Sequence, residues 1–305
     1  MTMKRRDTRR SVLTAVSRHA AVSGTPGRPP GQDTRLPKVW AGLSAGAALL
    51  AIAGSAVGLL AAGPIYSHET SAFRDAAAAQ DLVNLVLVGP LLLALAVRAY
   101  RGSLRSWLCW LGCLSFTVYN YAIYAFSIHF GALFLVWIGV LGLSLFALIG
   151  GLTALDPSAL KARFAGRPVR LPGWFLIVVA VLFALLWLSE IVPDLLAGRP
   201  STSATVWEVP TNPVHVLDLA FFLPAVCLSG VLLLRHHWLG YGTAVGQLVW
   251  LELTCLPILV TPFFANLRGD NPGWSVMAPI GIMALATLTV LWRVLRVTPG
   301  NPAEN

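Results

Sequence analysis

Charged residues are scarce in this sequence: 11% are Asp, Glu, Lys or Arg, against roughly 25% in ordinary soluble domains. A chain so poor in charge cannot clothe a globular surface in water, and the soluble class is excluded. Cysteine is scarce as well. Cys109, Cys113, Cys227 and Cys255 all fall inside apolar runs and form no C-x-x-C, which excludes a disulfide scaffold and leaves thiol redox chemistry without its motif. Neither a P-loop nor a G-x-G-x-x-G fingerprint occurs, an argument against a nucleotide-driven machine.

Apolar residues make up 56% of the 305 positions, and the mean hydropathy is +0.72. About 20 apolar residues in a helix cross roughly 30 Å of hydrocarbon. Eight such stretches are bounded by charge, Pro or Gly, at 40–62, 80–97, 107–126, 130–155, 173–192, 213–234, 242–264 and 274–292. The fold class this predicts is all-α, a polytopic transmembrane helix bundle of about eight spans. Its organisation would be a basic tail over 1–38, an eight-span domain over 39–293 and a short tail over 294–305. The bilayer is then the first partner of this protein.

Lys and Arg concentrate in cytoplasmic segments of membrane proteins. Here 19 of the 22 precede the first span or follow the second, fourth, sixth and eighth, and only Arg74, Arg199 and Arg268 lie in the opposite loops. Both termini are therefore expected in the cytoplasm, with the protein multi-pass in the cell membrane. This bias also accounts for most of the pI of about 9.9, so nucleic-acid binding is not needed to explain it. The basic tail, with Gly24-Thr-Pro-Gly-Arg-Pro-Pro-Gly31, cannot bury a core and reads as disordered. Its Thr8-Arg-Arg-Ser-Val-Leu13 is like a twin-arginine signal, but Arg18 and His19 follow where an apolar region belongs. A short interfacial helix near 11–22 is the other reading.

Spans two and six can be written over each other without a gap. Asp81-Leu82 and Asp218-Leu219 open them, and in both the Asp precedes an Arg by 17 residues (81 to 98, 218 to 235). Two parallel four-helix halves, 39–155 and 173–293, fit this pattern; chance matching of Leu-rich helices fits it too. The stretch 80–155, with Tyr119-Asn-Tyr121, and the segment Pro213-Val-His-Val-Leu-Asp-Leu219 resemble a functionally unassigned group of bacterial multi-pass membrane proteins. That resemblance implies architecture alone.

Ionisable and polar side chains inside spans are expensive and mark candidate sites. Glu252 falls at the middle of span seven, near Gln247 and Thr254, with no Lys or Arg at comparable depth. Asp81 and Asn84 lie three apart in span two, and His215 and Asp218 repeat that spacing in span six, so each pair shares a helix face. Span three adds Tyr119, Asn120, Tyr121 and Tyr124. Glu252 is expected as a proton or cation carboxylate at mid-depth, and the others, with His68, Glu69, His129, Glu190 and Asp194, are expected to line one outward-facing polar cavity as a substrate, proton or cation path. His68, Glu69, His129 and His215 are the candidate metal ligands, without a compact signature such as H-E-x-x-H. Haem is disfavoured because no His sits deep in a span.

The prolines at 90, 224, 257, 262 and 279 lie in or near the ends of spans, where freed carbonyls need partners. Gly42-Leu-Ser-Ala-Gly46 matches G-x-S-x-G, yet a nucleophile elbow needs a strand-to-helix turn. With Gly54 and Gly58 it reads instead as a small-residue packing face. The inner cluster of Arg98, Arg101, Arg105, Arg235, His236 and His237 could hold lipid phosphates, although charge bias predicts most of it. Three function classes follow. A secondary-transporter-like handler of small molecules or ions leads. An intramembrane metal- or quinone-dependent enzyme and a non-catalytic membrane partner or assembly protein are the alternatives. Cofactor, protein partner and oligomeric state are not legible in the residues.

Overall fold

The structure is a computed structural model and describes residues 35–298. The expectations for the basic tail up to 34 and for the end of the C-terminal tail lie outside the described residues. Eight long helices carry the chain: α1 Lys38–Leu60, α2 Ser71–Tyr100, α3 Leu104–Ser127, α4 Phe134–Thr153, α5 Arg170–Leu196, α6 Pro213–Leu234, α7 Trp238–Arg268 and α8 Trp274–Val297. Short helices occur at Ala62–Ile65, Pro157–Phe164 and Thr202–Trp207. No strand occurs among the described residues. Every expected span falls on one of the long helices. The largest difference is at α2, which starts at Ser71 rather than at 80. Thr70 caps it, its side chain accepting from Phe73 N at 3.3 Å, and the alanine-rich turn that follows favours helix while showing no apolar run.

Seven of the eight long helices are apolar enough to cross a membrane. The eighth, α3, carries Tyr119, Asn120, Tyr121 and Tyr124, and most of its residues are buried. It packs against α2, α4, α6 and α7. A helix wrapped by other helices need not dissolve in lipid, so it can hold polar side chains that its neighbours cannot. α5 and α8 are the opposite case. Only 17% of the apolar window of each is buried, and Leu182 and Leu185 of α5 and Ile282, Leu285 and Leu288 of α8 point outward.

The loops gather at two ends. At one, Leu36 N donates to Ala99 O at 3.2 Å, Arg105 Nε donates to Thr298 O at 2.7 Å, and Phe164 stacks on Tyr241. At the other, His129 meets Glu69, Phe73 stacks on Trp207 with ring centroids 4.5 Å apart, and Arg268 pairs with Asp75 and donates to Ser71 O. Successive long helices thus run in opposite directions. α1 to α4 pack among themselves, as do α5 to α8, and α2 and α3 against α7 join the two sets.

Local features recur at an interval of 134 residues. Wide π turns occupy Asn84–Val88 and Asp218–Phe222, closing when Gly89 N bonds Asn84 O and Leu223 N bonds Asp218 O. Each is followed by a proline, Pro90 or Pro224. A proline ring clashes with the carbonyl four residues back and donates nothing to it, and a widened turn relieves both faults. The same interval links Trp40 to Trp174, positive-φ Gly102 to His236, and the starts of α3 and α7 at 104 and 238. It also links Gly112 to Gly246, where α3 and α7 touch: a Cβ on Gly112 would collide with the Gly246 carbonyl. The gap-free alignment of Asp81 on Asp218 is not the register the backbone follows. That register pairs Asp81 with His215 and Asn84 with Asp218.

The glycine face of α1 does what small residues do in helix packing. Gly54 lies against Val136, and a Cβ on Gly58 would collide with the Asp81 carboxylate. Ser44, the serine of G-x-S-x-G, donates to Ala41 O and accepts from Trp110 Nε1 at 3.0 Å. It is a buried packing contact.

Candidate functional site

A cavity of about 590 Å³ opens beside Phe73 at the start of α2, Trp207 of the short helix Thr202–Trp207 and Asn271 of the loop before α8, and descends between α2, α3, α5, α6, α7 and α8. Its floor lies at Phe116 and Trp250, one turn beyond the Gly112–Gly246 contact. Residues 134 apart line it from both sets of helices: Phe73 with Trp207, Gln80 with Val214, Phe116 with Trp250, Asn120 with Thr254, and Tyr124 with Ile258. The wall is mainly aromatic and aliphatic, not the largely polar one expected. Polar atoms are few and placed singly, as in sites that orient an organic molecule.

α7 supplies much of this wall and carries two internal prolines. Pro257 and Pro262 both line the cavity. Thr254 and Thr261 turn their hydroxyls back to Trp250 O and Pro257 O, each at 2.8 Å, which satisfies the hydroxyls within their own helix. The rim is fixed by side chain to backbone bonds. Asp194 Oδ2 accepts from Thr202 N at 2.8 Å and from its hydroxyl at 2.9 Å. Glu190 Oε1 accepts from Ser203 N at 3.1 Å. These hold the short helix that lays Trp207 on Phe73.

Two carboxylates line the cavity among the described residues, Asp75, 2% exposed and paired with Arg268, and Asp218, 6% exposed. Asp218 Oδ2 accepts from Trp187 Nε1 at 2.8 Å. Oδ1 has no partner in ordinary hydrogen-bond geometry, and the neutral Tyr119 phenol is the donor group beside the carboxylate. His215, one turn earlier, packs on Trp187 with centroids 4.7 Å apart and approaches Glu190 Oε2 at 3.9 Å. The expected shared face of His215 and Asp218 is therefore realised, with Trp187 as its common neighbour. Asn120, 3% exposed, also lines the cavity, and its Nδ2 has no hydrogen-bond partner.

Asp81 lies elsewhere. It is 1% exposed and accepts from the Tyr66 hydroxyl at 2.6 Å. The Tyr124 hydroxyl lies 3.2 Å from its Oδ1 and 3.0 Å from Ala77 O, so one proton is shared between two acceptors. Tyr121 packs edge-on against Tyr124. Asn84 accepts from Gln80 Nε2 at 3.2 Å, and Gln80 rather than Asn84 reaches the cavity. Of the expected path residues, Asp218, Tyr119, Asn120 and Tyr124 line the cavity; Glu252, Asp81, Asn84, His215 and Tyr121 do not. Glu252 Oε2 is buried without a hydrogen-bond partner, away from the cavity wall.

The expected metal ligands separate. Glu69 Oε1 lies 3.0 Å from His129 Nδ1 and accepts from His129 N, and the rings of His68 and His129 are 6.0 Å apart. His215 belongs to the Trp187 and Glu190 group instead. Among the described residues no three His, Cys, Asp or Glu side chains converge as a metal site. The residues that sequence reasoning missed are aromatic: Trp187, Trp207, Trp250, Phe73 and Phe116. In an apolar helix such side chains look like lipid-facing or core positions, and the available signal was a tryptophan inside α5 rather than at its ends. No protein-family model, curated protein or solved structure matches the chain.

Proposed function

We propose that this chain is an integral membrane protein that takes up a small organic molecule in the cavity between two four-helix sets and passes it across the bilayer. It would act as a secondary transporter of eight spans, with both termini in the cytoplasm. The observation that carries the reading is the cavity of about 590 Å³, lined by residues 134 apart from both sets. Recurring wide turns, prolines and helix starts at that interval support a tandem duplication, and an even number of spans per half keeps the halves parallel. Segments at the cavity end hold only Arg74, Arg199 and Arg268, which supports a cavity facing away from the cytoplasm. The close packing of α3 on α7 at Gly112 and Gly246, one turn from the cavity floor, is compatible with an outward-open state.

Purified protein in mild detergent, screened by thermal shift against a broad set of small organic molecules, tests this. Compounds are expected to stabilise the wild type saturably and to lose that effect in Thr254→Trp, which fills the cavity. Hits should then show saturable uptake into proteoliposomes. Stabilisation without uptake would reject translocation, and hits that ignore Thr254→Trp would reject the cavity.

A further inference from the structure

Carboxylate oxygens in an apolar enclosure need a partner, since burying one unsatisfied is costly. In Asp218, Trp187 satisfies Oδ2, while Oδ1 has beside it only the neutral Tyr119 phenol, outside ordinary hydrogen-bond geometry, so the charge of the carboxylate is unmet. Among the described residues, no Lys, Arg or His lines the cavity. The other carboxylate there, Asp75 near the mouth, is already paired with Arg268. The cavity wall therefore offers Oδ1 no cation of its own.

The walls beside it are aromatic. Tyr119 stands edge-on to Trp250 at 5.5 Å between centroids and to Phe222 at 4.9 Å. Phe222 stacks on Trp250 at 5.0 Å, so the three rings hold one another in place. Trp187 is fixed by its bond to Asp218 and by His215. Ring faces attract cations within about 6 Å, most strongly when water is excluded. One unsatisfied carboxylate oxygen among immobilised rings is a site for an organic cation rather than for a bare metal ion, which would need several oxygen or nitrogen ligands.

Resting on the transporter reading above, we infer that the cavity's ligand is an organic amine on an apolar frame, its ammonium donating to Asp218 Oδ1 and lying against Trp187 and Tyr119. The frame fills the space toward Trp250 and Phe116. Asn120 Nδ2 offers a neutral donor for an acceptor on the ligand, so charge selection belongs to Asp218.

Three probes of one carbon frame test this: 4-phenylbutylamine, 4-phenylbutan-1-ol and 4-phenylbutanoate, titrated into the full chain in mild detergent and followed by tryptophan fluorescence. The amine is expected to bind saturably and about tenfold tighter than the alcohol, with the carboxylate weakest. Asp218→Asn should remove the roughly tenfold preference for the amine over the alcohol. Equal binding of all three, or a preference for the alcohol or the carboxylate, overturns the inference. If that equal binding vanishes in Thr254→Trp, the cavity reading survives without it. No saturable binding by any probe also overturns the inference, and the broad screen then decides the cavity reading separately. Should Asp218→Asn fail to fold, the wild-type ranking of amine against alcohol decides alone.

Discussion

Tyr66 lies between α1 and α2, fully buried, and its hydroxyl is the shortest side-chain donor to Asp81. Tyr66→Phe removes the donor and leaves a buried carboxylate oxygen unmet, which costs about 1–3 kcal/mol. Thermal unfolding in detergent measures the loss. The same pair produces a pH dependence. Burial, and then the Asp81 carboxylate, hold the Tyr66 phenol well above its ordinary value. Below a tyrosine's usual pKa of about 10 both folded and unfolded chains keep that proton. Above it the unfolded chain loses the proton while the folded one retains it, so stability falls as pH rises. The gap between wild type and Tyr66→Phe should narrow above about pH 10, and a gap that stays constant to about pH 11 would count against this account. Asp81 shows how far residue types can mislead. Its position in a span marked it as a path residue, but two tyrosines from different segments of the chain close it in.

Helix α3 and helix α7 meet where both lack a side chain. Gly112→Ala pushes a methyl group into the Gly246 carbonyl and toward Val249, both parts of a packed helix. Overpacking of this kind costs about 1–3 kcal/mol. Gly246→Ala meets looser surroundings, its nearest atoms being Gly112 N at 3.2 Å and Leu108 O at 3.4 Å, so the smaller loss is expected there. Gly142→Ala in α4 is the control, because nothing lies within 4 Å of the new methyl. That change should be neutral or stabilising by up to about 1 kcal/mol, the helix preference of alanine over glycine. Melting temperatures of the three variants in one detergent give the ranking, and equal losses at 112 and 142 would refute a close contact. The wide turns of α2 and α6 belong to this scale too. Proline positions are visible in the sequence, but whether a proline kinks, ends or widens a helix depends on the turn before it. Here the repeated widening marks an interval of 134 residues, three fewer than the 137 that separate Asp81 from Asp218 in the gap-free alignment.

For the molecule as a whole, the direction of the bundle in the membrane is the first matter to test. In a chain with Cys109, Cys113, Cys227 and Cys255 replaced, Ser158→Cys sits on the basic end and Ala197→Cys on the cavity end, both exposed. A membrane-impermeant maleimide on intact cells should label Ala197→Cys and leave Ser158→Cys unlabelled until lysis. The reverse pattern would turn the cavity toward the cytoplasm and invert the direction of the proposed uptake.

The all-helical fold, seven helices able to cross a membrane and the basic bias of one set of loops were legible in the chain, because hydrocarbon thickness, backbone hydrogen bonding and charge asymmetry act on local composition. That the third expected span, α3, is the least apolar of the eight long helices follows from its burial among the others. The glycine face of α1 was legible in part: Gly54 and Gly58 pack as expected, whereas Gly42 is exposed and meets no neighbour. Which polar residues share a site was not. Asp218 and Asn120 reach one cavity, Asp81 and Asn84 turn to other partners, and His215 leaves His68 and His129 for Trp187 and Glu190. Those pairings depend on how helices rotate and lean against one another. Rotation is decided by side-chain volumes, glycine contacts and widened turns summed over the whole bundle. Only the tertiary structure could therefore say that an aromatic cavity with one unsatisfied carboxylate oxygen lies between its two sets of helices.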